Sequence, residues 1–169
     1  TTAGRLSVGG KSPLTRGAKE ANAGGTAGDV LGKFCIKAVV VEERAKKDDW
    51  FVLHISDDAA ELIPAVKLRG LGTYETSDRQ QEEFGAGSTV ISIGQAGEWL
   101  MGGAGICVTG EGGQRSNYAA RGGLGAVMGS KGLKAIVIDK PVGKAVPLAD
   151  AERFRTAARA FAQKLINDP

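Results

Sequence analysis

The residues best suited to chemistry sit in glycine-rich stretches. Arg121 stands directly before Gly122 and Gly123, and Asn22 two residues before Gly24 and Gly25. Glycines let successive backbone N–H groups converge on one oxygen, while a neighbouring guanidinium can fork onto two oxygens of the same group. Several such loops together point to a large, polar, phosphate-bearing ligand; the alternative reading of each loop alone is a tight turn between strands. "GKS" at residues 10–12 resembles the end of a nucleotide phosphate loop, but the full pattern needs a glycine five residues before Gly10, where Arg5 stands. Pro13 also falls where a helix should continue. "GGLGAVMG", residues 122–129, looks like a dinucleotide turn with altered spacing and no strand directly before it.

Other chemistries find little support. The one histidine, His54, alternates with Leu53 and Ile55 in a strand pattern, which favours a solvent-side or hydrogen-bonded role over ligation. With Cys35 and Cys107 far apart, the usual soft ligands of zinc or an iron-sulfur cluster are not assembled here. Both cysteines have apolar neighbours and read as reduced core thiols in a cytoplasmic protein. Glu98, in a glycine-rich loop, is expected at the surface, and Trp50 and Trp99 in packing. No nucleophile elbow accompanies His54.

Composition fits a globular domain: 169 residues, 42% hydrophobic and 24% charged, with a net charge of +3 that is too small to argue for a nucleic-acid surface. No apolar run is long enough to cross a membrane, and no basic-then-apolar leader is visible. The chain opens without Met inside a strand-like stretch, so a fragment is expected. Glycine is the outlier at 26 residues, clustered and without a regular period.

These elements are expected to position the loops. "GRLSV" forms a short strand closed by "GGKSP", residues 22–25 a flexible turn, and residues 26–33 two helical turns. The β-branched run at 36–42 is the strongest strand signal. A charged turn then leads to an antiparallel partner strand at 50–56. Residues 57–69 should hold a short helix entering near Asp58 and stopped or kinked by Pro64, and "GTYETSDRQQEEFG" a helix bounded by Gly72 and Gly85. Strands follow at 88–94 and 106–108, then a dense loop from Asn117 ending in a strand at 135–138. Asp150 caps an amphipathic helix carrying Ala151, Phe154, Ala157, Ala158, Phe161 and Leu165. The order, with its hairpins, indicates an α+β fold.

Three segments taken together, "GRLSVGGKSPLTRGAKEANAGG" (4–25), "IGQAGEW" (93–99) and "AARGGLGAVMGSKGLKAIVI" (119–138), closely resemble the N-terminal domain of the tungsten-containing aldehyde ferredoxin oxidoreductase family. The resemblance runs to about Lys140. It implies two β-sheets forming the base for a tungsten, or molybdenum, bis-pterin cofactor, with magnesium bridging the pterin phosphates. Residue by residue, it places Arg5 between pterin and iron-sulfur cluster, Asn22, Gly24 and Gly25 against a pterin, and Ala119, Ala120, Arg121, Gly122 and Gly123 around phosphates and pterin edges. It implies residues 1–146 as the pterin-binding domain, incomplete at its start, and 147–169 as the first helix of a following helical domain. The implied activity oxidises small aldehydes to carboxylic acids and passes electrons through a 4Fe-4S cluster to ferredoxin.

The sequence departs from the family pattern at Ala120, where glycine is usual, at Gln95, where proline is common, and at Asn117 and Tyr118, where a more basic pair is often found. The cluster cysteines and the aldehyde pocket belong to later parts of the family, and Cys35 and Cys107 do not match those ligands. The 169-residue chain alone is therefore expected to be inactive and to need the remaining enzyme or a partner subunit, with a homodimer open for the complete protein. The alternative is a cofactor-free domain of the same fold serving assembly or solubility.

Overall fold

The computed structural model describes residues 4–113, 115 and 117–168. The expectation that the chain opens within a strand falls partly on residues 1–3, outside the described residues. The architecture is α+β with two sheets: a two-stranded antiparallel ribbon, and a six-stranded sheet in the order β4-β3-β8-β5-β6-β7. The ribbon pairs β1 (Leu6–Lys11) with β2 (Ala18–Ala23), Leu6 opposite Ala23 and Ser7 opposite Asn22. The large sheet contains β3 (Phe51–Ile55), β4 (Ala60–Pro64), β5 (Thr89–Ser92), β6 (Ile106–Val108), β7 (Asn117–Ala119) and β8 (Leu133–Ile138). Only β3 and β8 pair in parallel.

The central strands β5, β6 and β8 are buried along almost their whole length, which is why they read as continuous apolar runs. Their alternating side chains feed two cores. On one face Val52, Val90, Ala135 and Val137 meet Leu68 and Phe84, the latter ending helix α2 (Thr73–Phe84). On the other, Ile91, Ile106 and Ile138 cluster with Ala21 and Ala23 of the ribbon, Val30 of α1 (Ala27–Lys33), and Leu124 and Met128 of α4 (Leu124–Ser130). Three layers result. A single turn, α3 (Gln95–Glu98), packs against α4, and α5 (Ala151–Asn167) is exposed from Glu152 onward.

The helices at 26–33, 73–84 and from Ala151, and the strands around 89–92 and 106–108, form as their sequence indicates. Asp150 accepts a hydrogen bond from the Arg153 N–H at 2.9 Å, the expected N-cap. Asp150→Ala should lower the helicity of α5 measured by circular dichroism, at a cost of about 1 kcal/mol.

Other expectations are corrected. Strand β1 continues through Gly9, Gly10 and Lys11, because β2 supplies a full antiparallel partner. Residues 22 and 23 belong to β2, so the flexible turn begins only at Gly24. The segment 57–64 is no helix: Ser56 closes a short turn through Ser56 N–H to Ala59 C=O, and 60–64 returns as the edge strand β4, where Pro64 loses no needed donor. The strand at 50–56 therefore pairs with β4 and β8. The run at 36–42 forms no ladder, although its β-branched composition demands one. The stretch from Asn117 is ordered as β7 and α4.

Candidate functional site

The ribbon brings the first loop to the second. A Cβ at Gly24 would lie 2.9 Å from Asn117 Oδ1, and one at Gly122 would run into the Lys19 side chain. The segment from Lys19 to Gly24 thus passes antiparallel beside Asn117 to Gly122, and the Asn22 and Arg121 stretches, far apart in sequence, become one surface. Gly25 has φ +97°, and a Cβ there would approach Thr109 O to 2.6 Å, while Thr26 N–H donates to that same carbonyl at 3.0 Å. Gly123 has φ +68° at the N-cap of α4, where a Cβ would overlap the Gly102 carbonyl. These glycines are required by close packing and backbone conformation together, so their abundance is partly architectural.

Asn22 projects from the solvent face of β2. Its Nδ2 donates to Glu20 Oε1 at 3.1 Å, and Ser7 Oγ donates to the same oxygen at 2.7 Å. Those hydrogen bonds, Ser7 first and Asn22 second, hold the Glu20 carboxyl below its ordinary pKa. With its NH₂ engaged, Asn22 presents its carbonyl as an acceptor. Arg5, immediately before β1, and Arg121 are both exposed and form no ion pair among the described residues. Ala119 is buried as the last residue of β7, while Ala120 is exposed at the start of the loop. Ser7, Glu20 and Lys19 join this surface without having been singled out in the sequence, and Asn117, noted there as a departure from the family pattern, lies on it too. Only the Ser7–Asn22 register and the crossing of residues 19–24 past 117–122 bring them there.

The residues weighed for other chemistry find different places. His54 Nε2 is 2.8 Å from Asp139 Oδ1 and its ring lies 4.3 Å from that of Phe84, the hydrogen-bonded role expected for it. Lys11 ends β1 and Ser12 follows it; buried Ser12 Oγ accepts from the Leu14 and Thr15 N–H groups in a local turn. Trp50 is buried, but Trp99 is 68% exposed beside exposed Leu100 and Met101. Cys107 is buried and Cys35 exposed, so only one of the two is a core thiol; both are free. Burial pushes the Cys107 thiol pKa up. Iodoacetamide should therefore label Cys35 on the folded chain and reach Cys107 only on unfolding, as peptide mass spectrometry would show.

Glu98 also departs from its expected surface position. Its side chain is 3% exposed and pairs with Lys134, itself 0% exposed, while its two oxygens accept the Gly70 N–H at 3.1 and 2.8 Å. Lys134 Nζ donates to Leu71 O at 2.8 Å, and Gln95 Nε2 to Gly70 O at 2.9 Å. The "IGQAGE" segment thus ties α3 to the loop that enters α2. Among the described residues no group of His, Cys, Asp or Glu could hold a metal ion, and no helix is long and apolar enough to cross a membrane.

Residues 1–140 match the family model described as aldehyde ferredoxin oxidoreductase, N-terminal domain. The chain belongs to this family. It is 41% identical over 169 residues to the tungsten-containing aldehyde ferredoxin oxidoreductase of Pyrococcus furiosus, and 40% identical to that of Thermococcus kodakarensis, covering 99% of this chain and 26% of each relative. The aldehyde ferredoxin oxidoreductase N-terminal fold also superposes on a chain of the active site complex of benzoyl coenzyme A reductase with 1,5 dienoyl-CoA, with TM-score 0.87 and 28% identity. That match covers 97% of this chain and 24% of the other. The two-sheet α+β architecture is thus the family's, and the chain spans about a quarter of the length of these relatives.

Proposed function

We propose that residues 1–146 are the pterin-cofactor base of an oxidoreductase and that residues 147–169 open a following helical domain. The observation that carries this reading is the meeting of Asn22 and Gly24 with the 117–123 loop on one polar surface, in a chain 40–41% identical to tungsten-containing aldehyde ferredoxin oxidoreductases. The donor set suits a pterin: the free carbonyl of Asn22 can accept from ring N–H groups, and the unpaired guanidinium of Arg121 can fork onto phosphate oxygens. Arg5, exposed before β1, offers a second cation where the chain faces the proposed cluster. In this reading the tungsten or molybdenum atom is held through pterin sulfurs, and magnesium at the pterin phosphates would neutralise charge beside Arg121. When bound, the cofactor supplies the two-electron oxidation of an aldehyde to its carboxylic acid. This chain's residues bind and orient it; the 4Fe-4S ligands, the aldehyde pocket and the contact with ferredoxin would lie elsewhere in the polypeptide or in a partner subunit.

A second reading draws on the benzoyl coenzyme A reductase superposition: the same base can serve an enzyme of different substrate, so the aldehyde is selected outside this domain. Both readings require the cofactor surface. In the complete protein, Arg121→Ala and Asn22→Ala should each lower pterin and metal content while leaving the circular dichroism unchanged, because both side chains are exposed. Loss of a charge-assisted contact of about 1.5–3 kcal/mol corresponds to roughly 10- to 150-fold weaker retention. Unaltered pterin content in the double variant would refute the assignment.

A further inference from the structure

Helix α3 is one turn of four residues, too short to be held by its own hydrogen bonds. Its two long side chains reach out to the 69–72 loop and grip one residue there. Gln95 Nε2 donates to Gly70 O, and both Glu98 oxygens accept the Gly70 N–H. Lys134 closes this clamp, pairing with Glu98 and donating to Leu71 O at 2.8 Å. It stands where the register of β3 against β8 shifts, Phe51 facing Leu133 and Val52 facing Ala135. An extra residue at such a shift re-aims a side chain, here a cation, toward a buried carboxylate.

On its other side α3 meets α4 backbone to backbone. A Cβ at Gly129 would overlap the Gly97 carbonyl, and one at Gly97 would lie 3.0 Å from the Gly125 carbonyl. The turn after α3 continues the contact. Met101 N–H donates to Ala96 O, Ala104 N–H to Met101 O and Gly125 N–H to Ala104 O, each at 2.9 Å, while Gly102 O bounds Gly123 at the N-cap of α4. Arg121 lies two residues before that cap. An unbroken run of backbone contacts thus leads from the clamp to Arg121, although Glu98 and Lys134 are buried and touch no ligand themselves.

We propose that Glu98 and Lys134 are positioning residues for the cofactor surface: the clamp fixes α3, α3 fixes the first turn of α4, and that turn sets where the Arg121 guanidinium is presented. The proposal rests on the reading of Arg121 as a phosphate contact. A buried ion pair is often no more stabilising than well-packed apolar side chains of similar volume, but its hydrogen bonds are directional and fix one arrangement. Close-packed backbone passes that arrangement on, because no flexible side chain lies between α3 and α4 to absorb a shift.

The double variant Glu98→Leu/Lys134→Met of the complete protein separates positioning from stability. Its apolar side chains fill the space but leave the Gly70 N–H and Leu71 O without partners. Urea denaturation should stay close to wild type, whereas the Ala104 and Gly125 amides should exchange at least about 10-fold faster relative to those of β5, and pterin content should fall. Ile55→Ala, in the core at the far end of β8 from Lys134, is the control: it lowers stability and leaves that exchange ratio unchanged. Should the double variant not fold, Glu98→Gln is expected to shift the ratio in the same direction. A wild-type ratio in the clamp variant overturns the proposal, as does an equal change in Ile55→Ala or undiminished pterin. Exchange is read without any cofactor, so a wild-type protein lacking pterin would refute the cofactor assignment, while the ratio would still decide whether the clamp holds the Arg121 loop.

Discussion

Glu98→Ala is expected to destabilise the fold by about 3–5 kcal/mol, because it leaves the ammonium of Lys134 buried without its carboxylate. The pair sits at the meeting of α3, β8 and the 69–72 loop, and Lys134 is fully buried there. Losing Glu98 also removes the acceptor of the Gly70 N–H. Burial lowers the Lys134 pKa, and the hydrogen bond and charge of Glu98 oppose that lowering. In the variant the opposition is gone, so the folded pKa falls further below the unfolded value. Between those two values the unfolded chain holds a proton that the folded chain does not, so stability is lost as pH falls from 10.5 through the folded pKa. The variant's deficit should therefore shrink as pH rises toward 10.5, as urea denaturation across pH would show. The double variant Glu98→Leu/Lys134→Met should recover most of the loss, whereas additive losses would contradict coupling between the two.

Gly123→Ala should be nearly as costly. Left-handed backbone at φ +68° costs a non-glycine residue about 1–3 kcal/mol, and the new Cβ would overlap the Gly102 carbonyl and press on Pro13. Both neighbours are rigid, one a backbone carbonyl and the other a proline ring, so relief requires moving the loop at 102–105 or the turn after β1. The expected total is about 3–5 kcal/mol. Gly70→Ala is the control: it shares a positive φ of +82° but has nothing within 4 Å of a Cβ, so it should lose only the conformational part. Equal losses at Gly123 and Gly70 would show that close packing contributes nothing at the α4 N-cap.

The sequence makes some of this structure legible and hides the rest for physical reasons. Helix α2 announces itself through Gly72 and Gly85 at its ends, and α5 through Asp150, because capping is local. The central strands β5 and β6 are legible because both their faces are buried. The strand β4 is hidden: helix-forming Ala60, Glu61 and Leu62 are overruled by pairing with β3 along an edge. The run at 36–42 misleads in the opposite direction, since a strand needs a partner as well as a propensity. Glu98 looks like a surface carboxylate until β8 brings Lys134 beneath it. At the proposed cofactor surface, Asn22 and Arg121 are readable as polar groups in glycine-rich stretches, and the roles proposed for them and for Gly24 come from the resemblance. Ser7 and Glu20 become visible only through cross-strand register, which no local pattern specifies.

The most direct test of the cofactor-base assignment is metal analysis by plasma mass spectrometry together with pterin quantification on the complete native protein purified without oxygen. The expected result is tungsten or molybdenum and pterin in a ratio of about 1:2. A fully assembled protein with neither metal nor pterin would contradict it, and would leave a domain of this family that serves assembly alone.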